Sequence, residues 1–153
     1  MRRLIFLDFD GVLNSHQWML RRAESKRERG AVLGLDPAAV GLLNQLLDRS
    51  RAKVVVSSTH RLAGLPHCKR LLKSTGFTGE VIGATPVLDM LRGLEIQAWL
   101  DAQVARDRFV ILDDDAQDMA HLREHLIQTG FHAGLTQAHV DEAVTRLRQR
   151  ETT

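Results

Sequence analysis

The sequence is short of several residue types, and each shortage excludes a class of protein. Its single cysteine, Cys68, excludes an intramolecular disulfide, which suits a reducing compartment, and we therefore expect a cytoplasmic protein. Only four apolar residues, Leu4 to Leu7, precede the first acid, which is too few for the apolar core of a secretion signal. Nowhere does the chain approach the ~20 consecutive apolar residues of a membrane span, so we expect no membrane partner.

The sequence also has little net charge. The formal charge is +2 and the isoelectric point is near 9.1, a balance that does not by itself indicate nucleic-acid binding. The segment from Arg21 to Arg29 is an exception, because it contains five basic and two acidic residues. Such a run is most often the solvated face of a helix, and a footprint for a phosphate backbone is the alternative.

Internal repeats and low-complexity linkers are absent as well, which indicates one domain over residues 1–153. This length, with 44% apolar residues, is enough to bury a core. Apolar periodicity predicts, in chain order, strand 4–7, helix 37–49, strand 53–56, helix 65–74, strand 80–82, helix 92–105, strand 108–112, a helical turn at 116–122, strand 126–127 and a helix from 136 to about 148. Strands that alternate with helices through short connections predict an α/β fold with a mainly parallel central sheet.

Some residues within these elements have specific expected places. Asp36 is expected to cap the helix that begins at Pro37, and Thr136 to cap the last helix. Asp89 is expected to cap a turn before the helix over 92–105. The core face of that helix is predicted to consist of Ile96, Trp99, Leu100 and Val104.

Two carboxylates lie one residue apart at the end of the first apolar run, in Asp8-Phe9-Asp10-Gly11. A buried strand that ends in this way must supply its acids with a partner, because an unpaired buried carboxylate costs on the order of 5 kcal/mol. A hard divalent cation is the simplest such partner. Gly11 allows the backbone to turn sharply and a ligand to approach closely.

Two later strands also end in polar residues. The run from Phe109 to Leu112 is followed by Asp113, Asp114 and Asp115, and the run from Lys53 to Val56 is followed by Ser57, Ser58 and Thr59. Ligands of open α/β sheets bind beyond the carboxyl ends of the strands, so we expect five carboxylates and three hydroxyls at one edge of the sheet. This combination predicts a site for magnesium and phosphate.

In this order, the motifs resemble those of the haloacid-dehalogenase (HAD) superfamily of phosphotransferases. The segment from Asp8 to Val12 looks like the first motif, Ser57 the second and Asp113-Asp114 the fourth. Arg92 is the best candidate for the basic third motif, usually a lysine, and Lys73 is the alternative. Longer phrases are similar to small HAD domains found alone or within Swiss-army-knife RNA-repair proteins, namely those around Ser57, Arg92, Asp113 and Gly134. The resemblance implies a three-layer Rossmann-like fold with a minimal cap.

The resemblance also implies a role for each residue of the site. Asp8 would be the nucleophile that forms an aspartyl-phosphate, whereas Asp10 would protonate the leaving alcohol and then activate water. Arg92 would supply positive charge to the nucleophile and the phosphate. Mg²⁺ is the implied cofactor, and its protein ligands would be Asp8, the backbone carbonyl of Asp10, Asp113 and, next, Asp114. The alternative is a purely structural role, in which Asp8 and Asp10 are a helix-capping or salt-bridged pair.

The hydroxyl residues are expected to bind the phosphoryl group. Ser57 would donate its hydroxyl to a phosphoryl oxygen. The further candidates for phosphate binding are Gly11, Ser58, Thr59 and Arg61. The serines can instead cap the next helix, and both roles are compatible. Asp115 and Asp118 are expected to support or cap neighbouring groups rather than to bind the metal.

The chain leaves room for only a small flap or cap insertion, over residues 15–36. An open site admits bulky substrates, so we expect a phosphorylated substrate, with a nucleic-acid end or a nucleotide as first choice and a small metabolite as the alternative. Trp18, in this insertion, could stack on a base or pack against the basic helix, which is the commoner outcome. The non-enzymatic alternative is a binding or regulatory domain that has kept the fold without useful turnover. The sequence identifies no protein partner.

Overall fold

A five-stranded, all-parallel sheet forms the centre of the computed structural model, which describes residues 1–25 and 34–149. Its strands are β1 (Arg2–Leu7), β2 (Lys53–Val56), β3 (Val81–Ala84), β4 (Asp107–Asp113) and β5 (Leu126–Gln128). Their order is β3-β2-β1-β4-β5, so that β1 pairs with β2 on one side and with β4 on the other. The strand order therefore reverses at β1, and such a reversal opens a crevice at the carboxyl ends of the strands.

Helices connect these strands. The α-helices of the described chain are α1 (His16–Ser25), α2 (Pro37–Ser50), α3 (Leu65–Ser74), α4 (Arg92–Asp101) and α5 (Gln137–Arg148), and short 3-10 helices span Thr59–Ala63 and Ala120–His125. Both predicted caps are confirmed. The Asp36 side chain accepts a hydrogen bond from the N–H of Ala38, and Thr136 forms a reciprocal capping box with His139.

Alternate side chains of the strands face opposite layers of helices. Ile5 and Leu7 belong to a core that includes buried residues of α2, α3 and α5, whereas Leu4 and Phe6 belong to a core with α4 and the second 3-10 helix. A strand covered on both faces in this way is apolar along its whole length, as the Leu4–Leu7 run is. These layers confirm the predicted three-layer, Rossmann-like α/β fold.

The helix predicted over 92–105 is shorter than expected. α4 ends at Asp101, and the predicted core residue Val104 is fully exposed. The residues that follow Asp101 turn the chain back into β4 and so cannot continue the helix. Ile96 does reach the core, and Trp99 is half-buried with its ring edge-on to Phe6 at a centroid distance of 5.5 Å.

Three smaller expectations also differ from the structure. β3 begins one residue later than predicted and extends to Ala84, because backbone pairing with β2 continues past the apolar residues. The helical turn predicted at 116–122 is a 3-10 helix at Ala120–His125. Asp89 lies in the loop before α4 with a φ of 51°, and Leu91 occupies the cap position of that helix.

The insertion predicted over residues 15–36 is described in part. It begins with α1, in which Trp18 is buried and the Arg22 guanidinium lies over its ring, 5.3 Å from the centroid. Packing, rather than an open surface for base stacking, is therefore the observed environment of Trp18. The remaining basic residues of the segment, Lys26, Arg27 and Arg29, lie outside the described residues.

Cys68 lies on α3 and is fully buried, and burial raises the pKa of its thiol. Within residues 1–25 and 34–149, none of the helices has the length and apolar character needed to cross a membrane.

Candidate active site

The carboxyl ends of β1 and β4 bring two of the predicted residues together. Asp8 directly follows β1, and its backbone N–H extends the sheet pairing by donating to the carbonyl of Leu112 at 3.0 Å. Asp113 is the last residue of β4. Because β1 and β4 are parallel neighbours where the strand order reverses, both side chains lie at the crevice that this topology creates.

Asp8, Asp113 and Asp114 form a close group of carboxylates. One oxygen atom from each lies within 4.8 Å of the others. Asp8 and Asp113 are buried, with 4% and 0% exposure, and Asp114 is half-buried. Burial and the charge of Asp113, opposed by Arg92, raise the pKa of Asp8 to about 7, and burial together with Asp113 also raises the pKa of Asp114. The group therefore favours a bound proton or cation.

Arg92 lies against this group as the first residue of α4. Its Nη1 is 2.7 Å from Oδ2 of Asp113 and 3.1 Å from Oδ2 of Asp8. Burial alone would lower the pKa of Arg92, but Asp8 and Asp113 outweigh that effect and raise it, so the guanidinium stays charged. Arg92 thus contacts both buried acids, and its assignment to the basic third motif stays a prediction. The alternative, Lys73, lies on α3 beside a separate cavity.

Gly11 allows the loop after β1 to pass close to Asp114. Its φ is 79°, and a Cβ atom at this position would lie 2.3 Å from Oδ2 of Asp114. The N–H of Gly11 donates to Oδ1 of Asn14 at 3.0 Å, and its carbonyl accepts from the hydroxyl of Thr129 at 2.8 Å. Gly11 is therefore part of the backbone that shapes the site, and its N–H is already hydrogen-bonded to Asn14.

Asp10 is held beside the carboxylate group and remains accessible. Its side chain is 57% exposed, unlike that of Asp8. Its Oδ1 accepts a hydrogen bond from Nδ2 of Asn14 at 2.7 Å and lies 3.4 Å from Nε2 of His60. An oriented and solvent-accessible carboxyl group of this kind suits proton transfer.

The hydroxyl residues after β2 lie next to β1 in the sheet. The N–H of Ser57 donates to the carbonyl of Leu7 at 3.0 Å, which continues the pairing. The Ser57 hydroxyl is fully buried and has no hydrogen-bond partner among the described residues. Such an orphaned group costs about 1–3 kcal/mol. Because Ser57 is fully buried, its bond to a phosphoryl oxygen stays a prediction. Ser58 caps the following 3-10 helix by accepting from the N–H of His60 at 3.2 Å, as its alternative role required.

Arg61 is not the surface phosphate ligand that the sequence suggested. Its side chain is buried, and Nη2 donates to Oε1 of Glu95 at 2.7 Å. The other donated bonds go to the backbone carbonyls of Ser57, Ser58, Thr85 and Pro86. These five bonds match the five N–H donors of a guanidinium, so none remains for a phosphate. Arg61 instead connects the segments around the site.

Most of the predicted residues, but not Gly11, line one cavity of about 500 Å³. Its lining includes Asp8, Asp10, Thr59, Arg92, Asp113 and Asp114. Asp115 and Asp118 also line it. Asp115 supports the carboxylate group, because its N–H donates to Oδ1 of Asp113 at 3.0 Å and its side chain caps a turn by accepting from Gln117 at 2.9 Å. Ser57 and Ser58 are not among the lining residues that the structure describes.

The carboxylate group fits a hard divalent cation. Three converging carboxylate oxygens are the ligand type that Mg²⁺ takes from proteins, and a cation would relieve the repulsion that raises the pKa of Asp8. Asp8, Asp113 and Asp114 are the residues that would hold it. The carboxylate of Asp10 is bonded to Asn14 and lies outside this group, so a contribution through its backbone carbonyl stays a prediction.

Sequence reasoning did not assign a role to several residues of the site. Asn14 and His60 position the Asp10 carboxyl, and Glu95 pairs with Arg61. Asn14 could have been found, because it follows the acidic motif at a spacing that lets its side chain return to the loop. Glu95 gave no such signal, since it lies on a helix next to the core residue Ile96 and resembles any surface acid in the sequence.

Comparison with protein families supports what the geometry indicates. The family model described as the HAD domain in Swiss Army Knife RNA repair proteins matches residues 4–140. This range includes β1 from Leu4 onward, the other four strands and every residue of the site described above. Searches of curated proteins and of solved structures returned no match.

Proposed function

This chain belongs to the family of HAD domains in Swiss Army Knife RNA repair proteins, and on that basis we propose that it is a Mg²⁺-dependent phosphohydrolase that acts through an aspartyl-phosphate. The observation that carries the proposal is the pairing of two different carboxyl groups in one cavity. Asp8 is buried against Arg92 and the other two acids, whereas Asp10 is exposed and oriented by Asn14. This difference between the two carboxyl groups supports attack by Asp8 and proton transfer by Asp10.

The first half of the proposed reaction forms a covalent intermediate. A carboxylate oxygen of Asp8 attacks phosphorus in line with the ester bond, and the bond from phosphorus to the leaving oxygen breaks. The carboxylic acid of Asp10 donates its proton to that oxygen, so an alcohol leaves. Arg92 stabilises the charge that is shared between Asp8 and the transferring group.

The second half regenerates the enzyme. Asp10, now a carboxylate, takes a proton from water as the water oxygen attacks the phosphorus of the aspartyl-phosphate. The bond from phosphorus to Asp8 breaks, and inorganic phosphate leaves. Bound at Asp8, Asp113 and Asp114, the metal ion would supply charge neutralisation and orientation of the phosphoryl group.

The substrate class is the less constrained part of the proposal. The family description and the basic segment from Arg21 to Arg29 support a nucleic-acid end or a nucleotide. A small-metabolite monoester is the second candidate, and the cavity volume of about 500 Å³ favours it because this is the size of a small-molecule site.

Replacing the nucleophile tests the proposal directly. In Asp8→Asn, the side chain keeps its shape and loses its attacking charge, so we expect hydrolysis of an aryl phosphate with Mg²⁺ to fall by at least about a thousandfold. The Asp8→Asn protein should retain its fold by circular dichroism. Asp48→Asn, on the exposed face of α2, is the matched control and should hydrolyse the substrate at the wild-type rate.

Wild-type activity in Asp8→Asn would overturn the covalent mechanism. A wild-type protein that binds phosphate and Mg²⁺ but hydrolyses no monoester would instead indicate the non-catalytic binding domain.

A further inference from the structure

Part of the lining of the active-site cavity is apolar, and most of that part is open to solvent. Leu62, Val87 and Met90 line the cavity with exposures of 66%, 51% and 54%, and buried Met119 lines it as well. We call these four residues the apolar wall. Leu88, Leu91 and Leu94 are exposed next to it in the sequence. Six of the ten large apolar residues exposed in the described chain thus belong to the wall or adjoin it in sequence.

The loop that carries Val87 and Met90, half of this wall, is fixed in place. It connects β3 to α4, and Arg61 donates to its Thr85 and Pro86 carbonyls at 3.1 and 3.4 Å. Farther along, the N–H of Leu88 donates to Oε2 of Glu95 at 2.8 Å. A surface ordered in advance binds a partner at lower entropic cost, so the wall is suited to contact a ligand.

The remainder of the cavity lining has an excess of negative charge. Glu95 neutralises Arg61, and Arg92 is left as the one cation among the described lining residues to balance the acids. Those acids are Asp8, Asp10, Asp89, Asp113, Asp114, Asp115 and Asp118. One divalent cation does not offset this excess. A second phosphate on a substrate would therefore be repelled by the acids that lie beyond the metal-binding group, Asp89, Asp115 and Asp118.

We propose that the cavity selects phosphate monoesters whose leaving alcohol is a neutral, ring-bearing group such as a nucleoside, with its ring against the apolar wall. The proposal rests on the phosphohydrolase function proposed above and narrows its substrate. Apolar contact favours a ring, and methionine thioethers such as that of Met90 make favourable contacts with aromatic rings. Between a nucleotide and a nucleic-acid end, the charge favours the nucleotide, because a chain end brings a further phosphate beside the acids.

Three substrates separate the preference for a ring from the preference for a single phosphate. Adenosine 5′-monophosphate and ribose 5-phosphate present the same ester with and without a base, and adenosine 3′,5′-bisphosphate adds a second phosphate. With Mg²⁺, we expect kcat/KM for adenosine 5′-monophosphate to exceed that for each of the others by about tenfold.

Variants assign these preferences to the named residues. The double variant Leu62→Ser/Met90→Ser should reduce the preference for adenosine 5′-monophosphate over ribose 5-phosphate to within about twofold. Val104→Ser, which removes a fully exposed apolar side chain that does not line the cavity, should leave that ratio unchanged. Asparagine is tolerated at the positive φ of Asp89. Asp89→Asn removes one repelling charge, so it should raise kcat/KM for the bisphosphate relative to adenosine 5′-monophosphate by about threefold.

The outcomes separate this inference from the function on which it rests. Equal rates for adenosine 5′-monophosphate and ribose 5-phosphate, or a preference that survives in the double variant, would overturn the inference and leave the phosphohydrolase intact. Faster hydrolysis of the bisphosphate than of the monophosphate would overturn the charge argument and indicate that the outer acids hold a second cation. If neither these compounds nor an aryl phosphate is hydrolysed, the proposed function itself fails.

Discussion

At the scale of single residues, Asp8 combines two conflicting requirements. In the proposed mechanism its carboxylate must be charged to attack phosphorus, yet burial and the neighbouring Asp113 raise its pKa to about 7. Arg92 and the N–H of Phe9, which donates to Oδ1 of Asp8 at 2.9 Å, oppose this shift without cancelling it. The folded protein therefore gains from a cation that stabilises the charged form.

For the metal-free protein, we predict that stability falls as pH rises. The pKa of Asp8 moves from an ordinary 3.8 to about 7 on folding, so between those values the folded state holds a proton that the unfolded state has released. The stability that this proton contributes is therefore fully present below the lower value and is lost progressively as pH rises through the higher one, by about a few kcal/mol in all. Urea unfolding with a chelator at about pH 5 and about pH 8 measures the difference.

Mg²⁺ and three variants provide the controls for this experiment. Mg²⁺ should restore stability at the higher pH by binding the folded state, and Asp113→Asn should weaken that response. Asp8→Asn should remove most of the pH dependence, whereas Asp48→Asn should leave it as in the wild type. Equal unfolding free energies at both pH values would contradict the prediction, as would an undiminished Mg²⁺ response in Asp113→Asn.

Single residues of the site differ in how far the sequence could predict them. Asp8 and Asp113 come at the ends of apolar runs. This pattern predicts both the strand and the edge of the sheet at which the acid lies. Arg61 follows the serines in a way that is equally typical of a phosphate ligand. Its actual partners are four backbone carbonyls and Glu95 on α4. Thr85, Pro86 and Glu95 are at least 24 residues away, and no local pattern encodes contacts with them.

At the scale of secondary-structure elements, the Arg61–Glu95 pair joins three segments that surround the cavity. Arg61 lies in the 3-10 helix after β2, Glu95 lies on α4, and both bind the loop after β3. Because both side chains are less than 10% exposed, neither charge can be satisfied by water if its partner is removed. The pair therefore controls how the apolar wall is positioned relative to the carboxylate group.

We predict that Glu95→Ala destabilises the protein by about 3–5 kcal/mol, because it leaves a buried guanidinium without its counter-charge. It should also lower kcat/KM for adenosine 5′-monophosphate more than for ribose 5-phosphate, since the loop that carries Val87 and Met90 loses the bond to Leu88. Urea unfolding and steady-state kinetics measure the two effects. Glu95→Gln, which keeps an acceptor for Arg61, should show a smaller loss in both.

The exposed pair Lys53–Glu80 is the matched control for this prediction. Its atoms are 2.6 Å apart, but the side chains are 42% and 62% exposed. Glu80→Ala should therefore change stability by no more than about 1 kcal/mol. Similar losses of stability in Glu80→Ala and Glu95→Ala would show that burial of the Arg61–Glu95 pair does not determine how much the pair stabilises the protein.

Element boundaries show where pattern analysis stops being informative. Helix α3 and strand β2 lie where they were predicted, because their apolar spacing and their termini coincide. Helix α4 ends four residues early, although Val104 continues the apolar spacing. The end of α4 is determined by the path to β4, which is a property of the tertiary fold and not of the local sequence.

At the scale of the whole molecule, acidic side chains collect in the cavity while the chain as a whole is slightly basic. The net charge is +2, yet the cavity lining contains seven aspartates. Basic residues are correspondingly concentrated elsewhere, as in the segment from Arg21 to Arg29, of which Arg21 is exposed on α1. Substrates with one phosphate and substrates with many should therefore respond differently to salt.

We predict that the basic segment has little influence on a mononucleotide. In the triple variant Arg21→Gln/Lys26→Gln/Arg29→Gln, kcat/KM for adenosine 5′-monophosphate and its shallow dependence on salt should both stay as in the wild type. Rates measured from about 0.05 to 0.5 M salt provide the test. The contrary result is a 3′-phosphorylated oligonucleotide that is hydrolysed faster than adenosine 5′-monophosphate, with a steep salt dependence that the triple variant reduces. In that case a polynucleotide binds along the basic segment, and the prediction is wrong.

The central place of β1 also determines when the site can exist during biosynthesis. β1 pairs with β4 from Arg2 opposite Asp107 to Leu7 opposite Leu112, partners that are 105 residues apart in the chain. At about 5–20 residues per second, a ribosome needs several seconds to synthesise the intervening segment. During that interval β1 can pair with β2, but its other edge is open and apolar, and it is a candidate for chaperone binding. The carboxylate group of Asp8, Asp113 and Asp114 is complete only after Asp114 has emerged, so under the proposed function we expect no hydrolysis by a nascent chain shorter than this.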